Sequence, residues 1–234
     1  MTEAARTGTE LIRRFRGDTT GSWNPITGCL HECRYCWARR YAVRLAGMGV
    51  EPYRSHGFKP AFVETRLRKT FRKDDLIFVS DMGDMWGSWV PAAWIRAVLA
   101  SVRGSRGAFL FLTKNPARYH EFIDEVPRNS LLGATIESNL EHEVSKAPSA
   151  RERFEAMRSL NYPYKCLVIE PILDFDEGFL AWIKEIKPIT VHVGYDNYEN
   201  RLREPARSKT QELINSLREF THVSTSFQPS CNSA

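Results

Sequence analysis

The sequence predicts an α/β protein, a partial or complete (β/α) barrel of six to eight mainly parallel strands. Two observations carry this. Short β-rich runs that end in polar residues alternate with helical stretches from about residue 76 to the C-terminus, the order expected of right-handed βαβ units. The apolar runs are also mostly continuous rather than alternating, as in strands buried on both faces of a parallel sheet. A doubly wound open sheet is the competing architecture.

The elements follow in order. Residues 1–20 read as a basic N-terminal arm. Short strands are expected near residues 22–25 and 61–64, and a cysteine loop over 28–36 precedes a helix over 37–46. Residues 76–82 (LIFVSDM) form a strand and 92–102 (AAWIRAVLASV) a helix. Residues 108–113 (AFLFLT) form the next strand, and Pro116 lies near the start of a helix reaching 123, because proline suits the first helical position. Strand 131–136, a helix within 150–160, strand 166–172 and a helix over 179–186 come next. Strand 189–193, a helix over 208–220 and strand 223–227 close the chain. One domain is expected over 21–228, followed by a short polar tail, 229–234.

Hydrophobic residues make up 42% of the 234, enough for a large core without staples. No apolar stretch has transmembrane length, and the polar N-terminus does not resemble a secretory signal. An odd number of cysteines, five, argues against a disulfide framework and for a reducing cytoplasm. The net charge is +5, unevenly placed: residues 1–75 hold 15 Lys/Arg against 8 Asp/Glu, a net +7. That excess includes Arg66, Arg68, Lys69, Arg72 and Lys73. It is either a solvated face or a surface that attracts phosphates.

Cys29, Cys33 and Cys36 stand in a C-x3-C-x2-C pattern, with Gly28 before the first and Tyr35 before the third. Three thiolates can hold three irons of a cubane cluster and leave the fourth iron open to a small molecule. A zinc knuckle using His31 as fourth ligand is the competing reading. Cys166 and Cys231 are distant and isolated.

In a (β/α) barrel the C-terminal strand ends form the functional face. Here they carry Asp81 and Asp84, Thr113 and Lys114, then Glu137, Ser138 and Asn139. Glu170 with Pro171, then Tyr195, Asp196 and Asn197, and finally Ser226 and Gln228 complete the rim. Polar residues at so many strand ends, beside a cysteine triplet, point to one shared pocket.

The cysteine pattern resembles the radical S-adenosylmethionine superfamily, whose barrel is TIM-like. The segments 23–29 (WNPITGC), 33–38 (CRYCWA), 80–85 (SDMGDM), 112–116 (LTKNP), 133–139 (GATIESN) and 169–173 (IEPIL) resemble a phage-associated three-cysteine family of that type, long catalogued as a domain of unknown function. The resemblance spans about residues 22–195. It implies that Cys29, Cys33 and Cys36 ligate a [4Fe–4S] cluster whose open iron takes S-adenosylmethionine. One-electron cleavage would then yield a 5′-deoxyadenosyl radical, with an electron donor such as flavodoxin or ferredoxin. Tyr35 would lie near the adenine, Asp81 or Asp84 would receive the methionyl ammonium, and Lys114 would neutralise its carboxylate. Glu137, Ser138 and Asn139 would meet the ribose, and Glu170 the cofactor or substrate.

The substrate is left open. A barrel without large added domains suits a macromolecule such as a nucleic acid or a partner protein, and the alternative to an enzyme is a non-catalytic nucleic-acid-binding module with a structural metal. Cys166 reads as a small core residue, His31 as a loop residue and His192 as a core or rim imidazole. Trp86 and Trp89 read as packing over the barrel mouth.

Overall fold

The structure is a computed structural model that describes residues 3–226. Helix α1 (Glu3–Phe15) comes first, inside the stretch expected to be an arm. Its Leu11 and Phe15, one turn apart, bury against Leu76, Ala108, Leu131 and Cys166. These four residues lie at the starts of successive strands, so α1 closes the N-terminal end of the barrel. Arg14 donates to the carbonyl of Asp75 at 2.9 Å and to that of Lys73, so this cation of the basic segment has a structural task.

Strand β1 (Gly21–Trp23) is followed by β2 (Ile26–Thr27), the cysteine loop, helix α2 (Trp37–Gly47), the single turn α3 (Tyr53–His56) and β3 (Ala61–Phe62). Then come β4 (Leu76–Val79), α4 (Ala92–Val102), β5 (Ala108–Thr113), β6 (Ser130–Thr135), α5 (Ala150–Ser159) and β7 (Lys165–Ile169). The last elements are α6 (Gly178–Ile186), β8 (Thr190–Val193), α7 (Arg207–Arg218) and β9 (His222–Thr225).

Seven strands form one parallel sheet in the order β1-β4-β5-β6-β7-β8-β9. The order never reverses, which rules out the doubly wound alternative, whose strand order switches direction. The sheet curls into a partial barrel with β1 and β9 as its open edges. β2 and β3 stand apart as an antiparallel ribbon, so the strand expected at 61–64 is not a barrel strand.

The continuous apolar runs are explained by burial on both faces, and all six residues of β6 are buried. The outer face meets helices whose apolar residues fall on one stripe, such as Ile95, Val98, Leu99 and Val102 on α4. Ser149 and Glu152 cap α5 reciprocally, the pattern that fixes a helix start.

Among the elements whose ends differ from expectation, three show a clear physical cause. The helix from Pro116 is a 3-10 turn, Pro116–Glu121, pinned by Tyr119, whose buried hydroxyl sits between the carbonyls of Phe111 and Gly133 at 2.9 and 2.8 Å, with its one proton able to serve either. β7 stops before Pro171, which has no N–H for the ladder. β4 stops at Val79 because Ser80 turns at φ 58°, swinging Met82–Asp84 toward the cysteine loop. Phe227, Gln228 and Cys231, which were expected in the last strand, on the rim and in the tail, lie outside the described residues.

Candidate active site

The cysteine loop is held from both sides. Gly28 sits at φ 80°, and a Cβ there would lie 2.2 Å from the Lys59 carbonyl oxygen, so only glycine fits. Its N–H donates to Met82 O at 2.9 Å, and Gly28 bridges Gly83. On the other side Arg34 N–H donates to Val144 O at 3.0 Å, and Lys146 N–H to His31 O at 2.6 Å.

All three thiols are free and border one cavity of about 660 Å³. Cys33 is buried; Cys29 and Cys36 are partly exposed. Burial raises the pKa of Cys29 and Cys33. Cys29 Sγ accepts the His31 N–H at 3.4 Å. Cys36 is the N-cap of α2, and its Sγ accepts the Arg39 N–H at 3.3 Å. Such N–H donors, and the positive end of a helix, stabilise negative charge on sulfur. This donor set fits a [4Fe–4S] cluster, whose sulfurs are tuned by hydrogen bonds. Among the described residues no three His, Cys, Asp or Glu side chains converge on a single-ion site, as a closed zinc centre with ligands about 2.0–2.3 Å from one point requires.

Asp84 is a buried hub. His31 Nε2 lies 3.0 Å from it, Thr113 Oγ1 donates at 2.8 Å, and the N–H groups of Lys114 and Trp86 donate at 3.0 Å each. Against the upward push of burial, His31 and these donors hold its pKa below the usual value. His31 also meets the Trp89 ring at 4.7 Å. It is thus a buried strut between the cysteine loop and β4, rather than a plain loop residue. Asp81 is partly exposed, accepts from Asn24 Nδ2 at 2.6 Å and faces the cavity.

Beside the loop lies a second buried network. Tyr35 donates to Glu137 through a short hydrogen bond. Arg153 meets the other Glu137 oxygen at 2.6 Å, and Lys114 Nζ stands 3.4 Å away. Lys114 also lies 5.3 Å from the centre of the Tyr35 ring. Burial pushes the Glu137 carboxyl up, but Arg153, Lys114 and the Tyr35 hydroxyl hold it down to about 2. Tyr35 moves the other way, raised by burial and the Glu137 charge.

Ser138 and Asn139 do not join this group. Ser138 Oγ donates to Asp174 O at 2.6 Å, and Asn139 is bonded to Asp176. Glu137 and Ser138 border a separate small cavity near α5.

On the opposite wall Glu170, His192 and Ser224 form a chain. His192 Nε2 lies 3.2 Å from Glu170, and Nδ1 2.9 Å from Ser224 Oγ. Asn197 and Ser226 donate to the other Glu170 oxygen at 3.1 and 2.9 Å. A Cβ on Gly194 would come within 2.4 Å of that oxygen, so glycine makes room for the carboxylate. Sequence reasoning set His192 aside. The missed signal is register: His192 pairs with Val168 and Ser224 across three strands, and all three border the cavity. Cys166 also borders it from below, its thiol raised to about 12 by burial. Trp86 is core.

No helix among the described residues is long and apolar enough to cross a membrane. No curated protein matches the sequence. In fold the chain resembles spore photoproduct lyase with bound dinucleoside spore photoproduct, at TM-score 0.60 and 11% identity over 86% of this chain and 75% of that one. A spore photoproduct lyase variant with bound S-adenosylmethionine gives TM-score 0.57 and 12% identity over 95% and 85%. Streptococcus suis SuiB bound to S-adenosylmethionine gives 0.55 and 7% over 96% and 55%. The fold is therefore the partial TIM-like barrel of the radical S-adenosylmethionine type. Residues 18–183, most of the chain, match a family described as protein of unknown function, and the chain belongs to that family, DUF5131.

Proposed function

We propose that this protein is a radical S-adenosylmethionine enzyme, built as a single barrel domain over 21–228. The observation that carries the reading is the triplet of free thiols, two of them accepting backbone N–H bonds, on the rim of a cavity walled by Lys114 and Glu170. Cys29, Cys33 and Cys36 would hold a [4Fe–4S] cluster. When bound and reduced by a donor such as flavodoxin or ferredoxin, that group supplies an electron to the sulfonium of S-adenosylmethionine.

The chain's own residues do the rest. Asp84 and His31 fix the loop, and Tyr35 is oriented by Glu137. Lys114 offers the cation for the methionyl carboxylate, and Asp81 the carboxylate for its ammonium. Ser138 and Asn139 are hydrogen-bonded to Asp174 and Asp176 and, like Glu137, do not line the cysteine cavity, so this proposal gives none of the three a direct ribose contact. Glu170 and His192 face the cavity from the far wall and would meet the substrate. The fold neighbours are captured with a dinucleoside photoproduct and, for SuiB, a precursor peptide, and a substrate of nucleic-acid or peptide chemistry is the corresponding proposal here.

The test is anaerobic reconstitution followed by metal analysis and an assay for 5′-deoxyadenosine. Wild type and Cys166→Ala should load iron and form the product, and Cys33→Ala should load none. Zinc in place of iron, or full iron loading by Cys33→Ala, would overturn the assignment.

A further inference from the structure

A second cavity, about 560 Å³, lies outside the barrel beside its open edge strand β1. One wall is aromatic and apolar: Trp37, Tyr41 and Leu45 follow at four-residue steps on α2, the spacing that aligns side chains on one helical face. Trp37 and Tyr41 remain 42% and 46% exposed. The cavity also carries Arg66 and Lys69, from the basic segment. Among the described residues on its lining Asp81 is the one acid, and Asn24, which donates to Asp81, also accepts from Arg66. Trp37 and Asp81 also border the cysteine cavity. The outer groove and the cysteine cavity therefore meet at these two side chains.

We infer that this groove binds single-stranded nucleic acid and delivers one nucleotide to the cysteine cavity. The delivery step rests on the radical-enzyme reading; the binding step does not. Unpaired bases stack on exposed aromatic faces whatever their identity, while cations follow the phosphates. Charge sets the direction. The phosphates run along Arg66 and Lys69, and the bases turn toward Tyr41 and Trp37. A duplex, with its bases already stacked, cannot use the aromatic wall.

An extended peptide is the rival occupant, since β1 is an unpaired sheet edge and strand addition is a common mode of peptide capture. The edge is blunted against it. Arg66 Nη1 donates to Asn24 O at 2.7 Å, and Lys69 Nζ lies 3.4 Å from Ser22 O. A pairing strand would have to displace both, a form of edge protection.

The experiment is fluorescence anisotropy on the full chain as purified, without cluster or S-adenosylmethionine. The probes are a labelled 12-nucleotide mixed-sequence single strand, the same sequence as a duplex, and a labelled 12-residue extended peptide, each over a salt series. The single strand should bind more tightly than the duplex. Tyr41→Ala should weaken it about 5-fold or more, the range of one lost base stack, and Tyr41→Phe should retain it. Lys69→Ala should flatten the salt slope by about 0.7. Lys184→Ala, on the outer helix α6, should change nothing. Thermal melting confirms that each variant is folded. Single-strand binding that ignores both Tyr41→Ala and Lys69→Ala, or tight binding of the peptide alone, overturns the proposal. In the reconstituted enzyme the single strand should raise 5′-deoxyadenosine formation, and Tyr41→Ala should abolish that rise. Groove binding without any 5′-deoxyadenosine sinks the radical reading and leaves the binding site standing. Product formation without groove binding does the reverse.

Discussion

Glu137 and Glu170 follow the ends of adjacent strands, β6 and β7, yet their surroundings differ. Glu137 is 2% exposed and lies between Arg153, Lys114 and the Tyr35 hydroxyl. Glu170 is partly exposed, faces the large cavity and is held by His192, Asn197 and Ser226. A carboxylate enclosed by two cations is a fixed part of the scaffold, because leaving either cation alone in the interior is costly. A carboxylate in a wet cavity, held by neutral donors and a histidine, can still exchange partners with a ligand. The same residue type thus positions the cysteine loop on one wall and is available for chemistry on the other.

The largest expected effect tests the buried side. Glu137→Gln leaves Arg153 and Lys114 without their counter-charge and should cost about 3–5 kcal/mol, read from urea unfolding of the metal-free protein. Adding Arg153→Met should recover part of the loss. A cost below about 1 kcal/mol would erase the contrast between the two walls.

The next is a pH effect on the same group. The Glu137 carboxyl lies at about 2 in the folded protein, below its ordinary 4.5. Its contribution is complete above about 4.5 and is lost as pH falls toward 2, by up to about 1.4 kcal/mol per pH unit. Thermal melts from pH 5 to pH 2.5 should show a fall that is smaller in Glu137→Gln. Equal slopes in the two proteins would place the acid sensitivity elsewhere.

Asp84→Asn should be milder. It keeps the size but weakens the link to His31 and the two N–H donors, costing about 1–3 kcal/mol. Because His31 ties the cysteine loop to β4, iron content after reconstitution should drop alongside the melting temperature. Wild-type iron loading would detach Asp84 from the cysteine site.

Glu170→Gln should have the smallest effect on stability, about 1 kcal/mol or less, since the isosteric amide still accepts from Asn197 and Ser226 and the group is partly exposed to water. Substrate turnover should nonetheless fall, with 5′-deoxyadenosine formed but uncoupled from product. A destabilisation matching that of Glu137→Gln would show that both walls are scaffold.

Much of the barrel was legible because it depends on local pattern. The helix over 92–102 and the strand over 108–113 were read with the bounds they have, and the other helices apart from α1 and the single turn α3 to within a residue or two, because β-rich runs and helical stripes are set by nearby residues. Helix α1 was not legible. Among its described side chains the buried apolar ones are Leu11 and Phe15, and only the open end of a formed barrel makes them a buried pair. The strand at 61–64 was read correctly as extended but placed in the wrong sheet, since propensity does not name a partner.

By itself the sequence determined the alternation of strands and helices, the rim of polar strand ends and the cysteine triplet, all of which are written in spacing along the chain. The tertiary structure decided which rim residues share a cavity. It turned Ser138 and Asn139 toward the loop at 174–176, brought His31 onto Asp84 across 53 positions, and set His192 between Glu170 and Ser224. These are contacts between segments far apart in the chain. Their geometry follows from strand register and from which polar groups must find partners once water is excluded, and neither is encoded in any one stretch of residues.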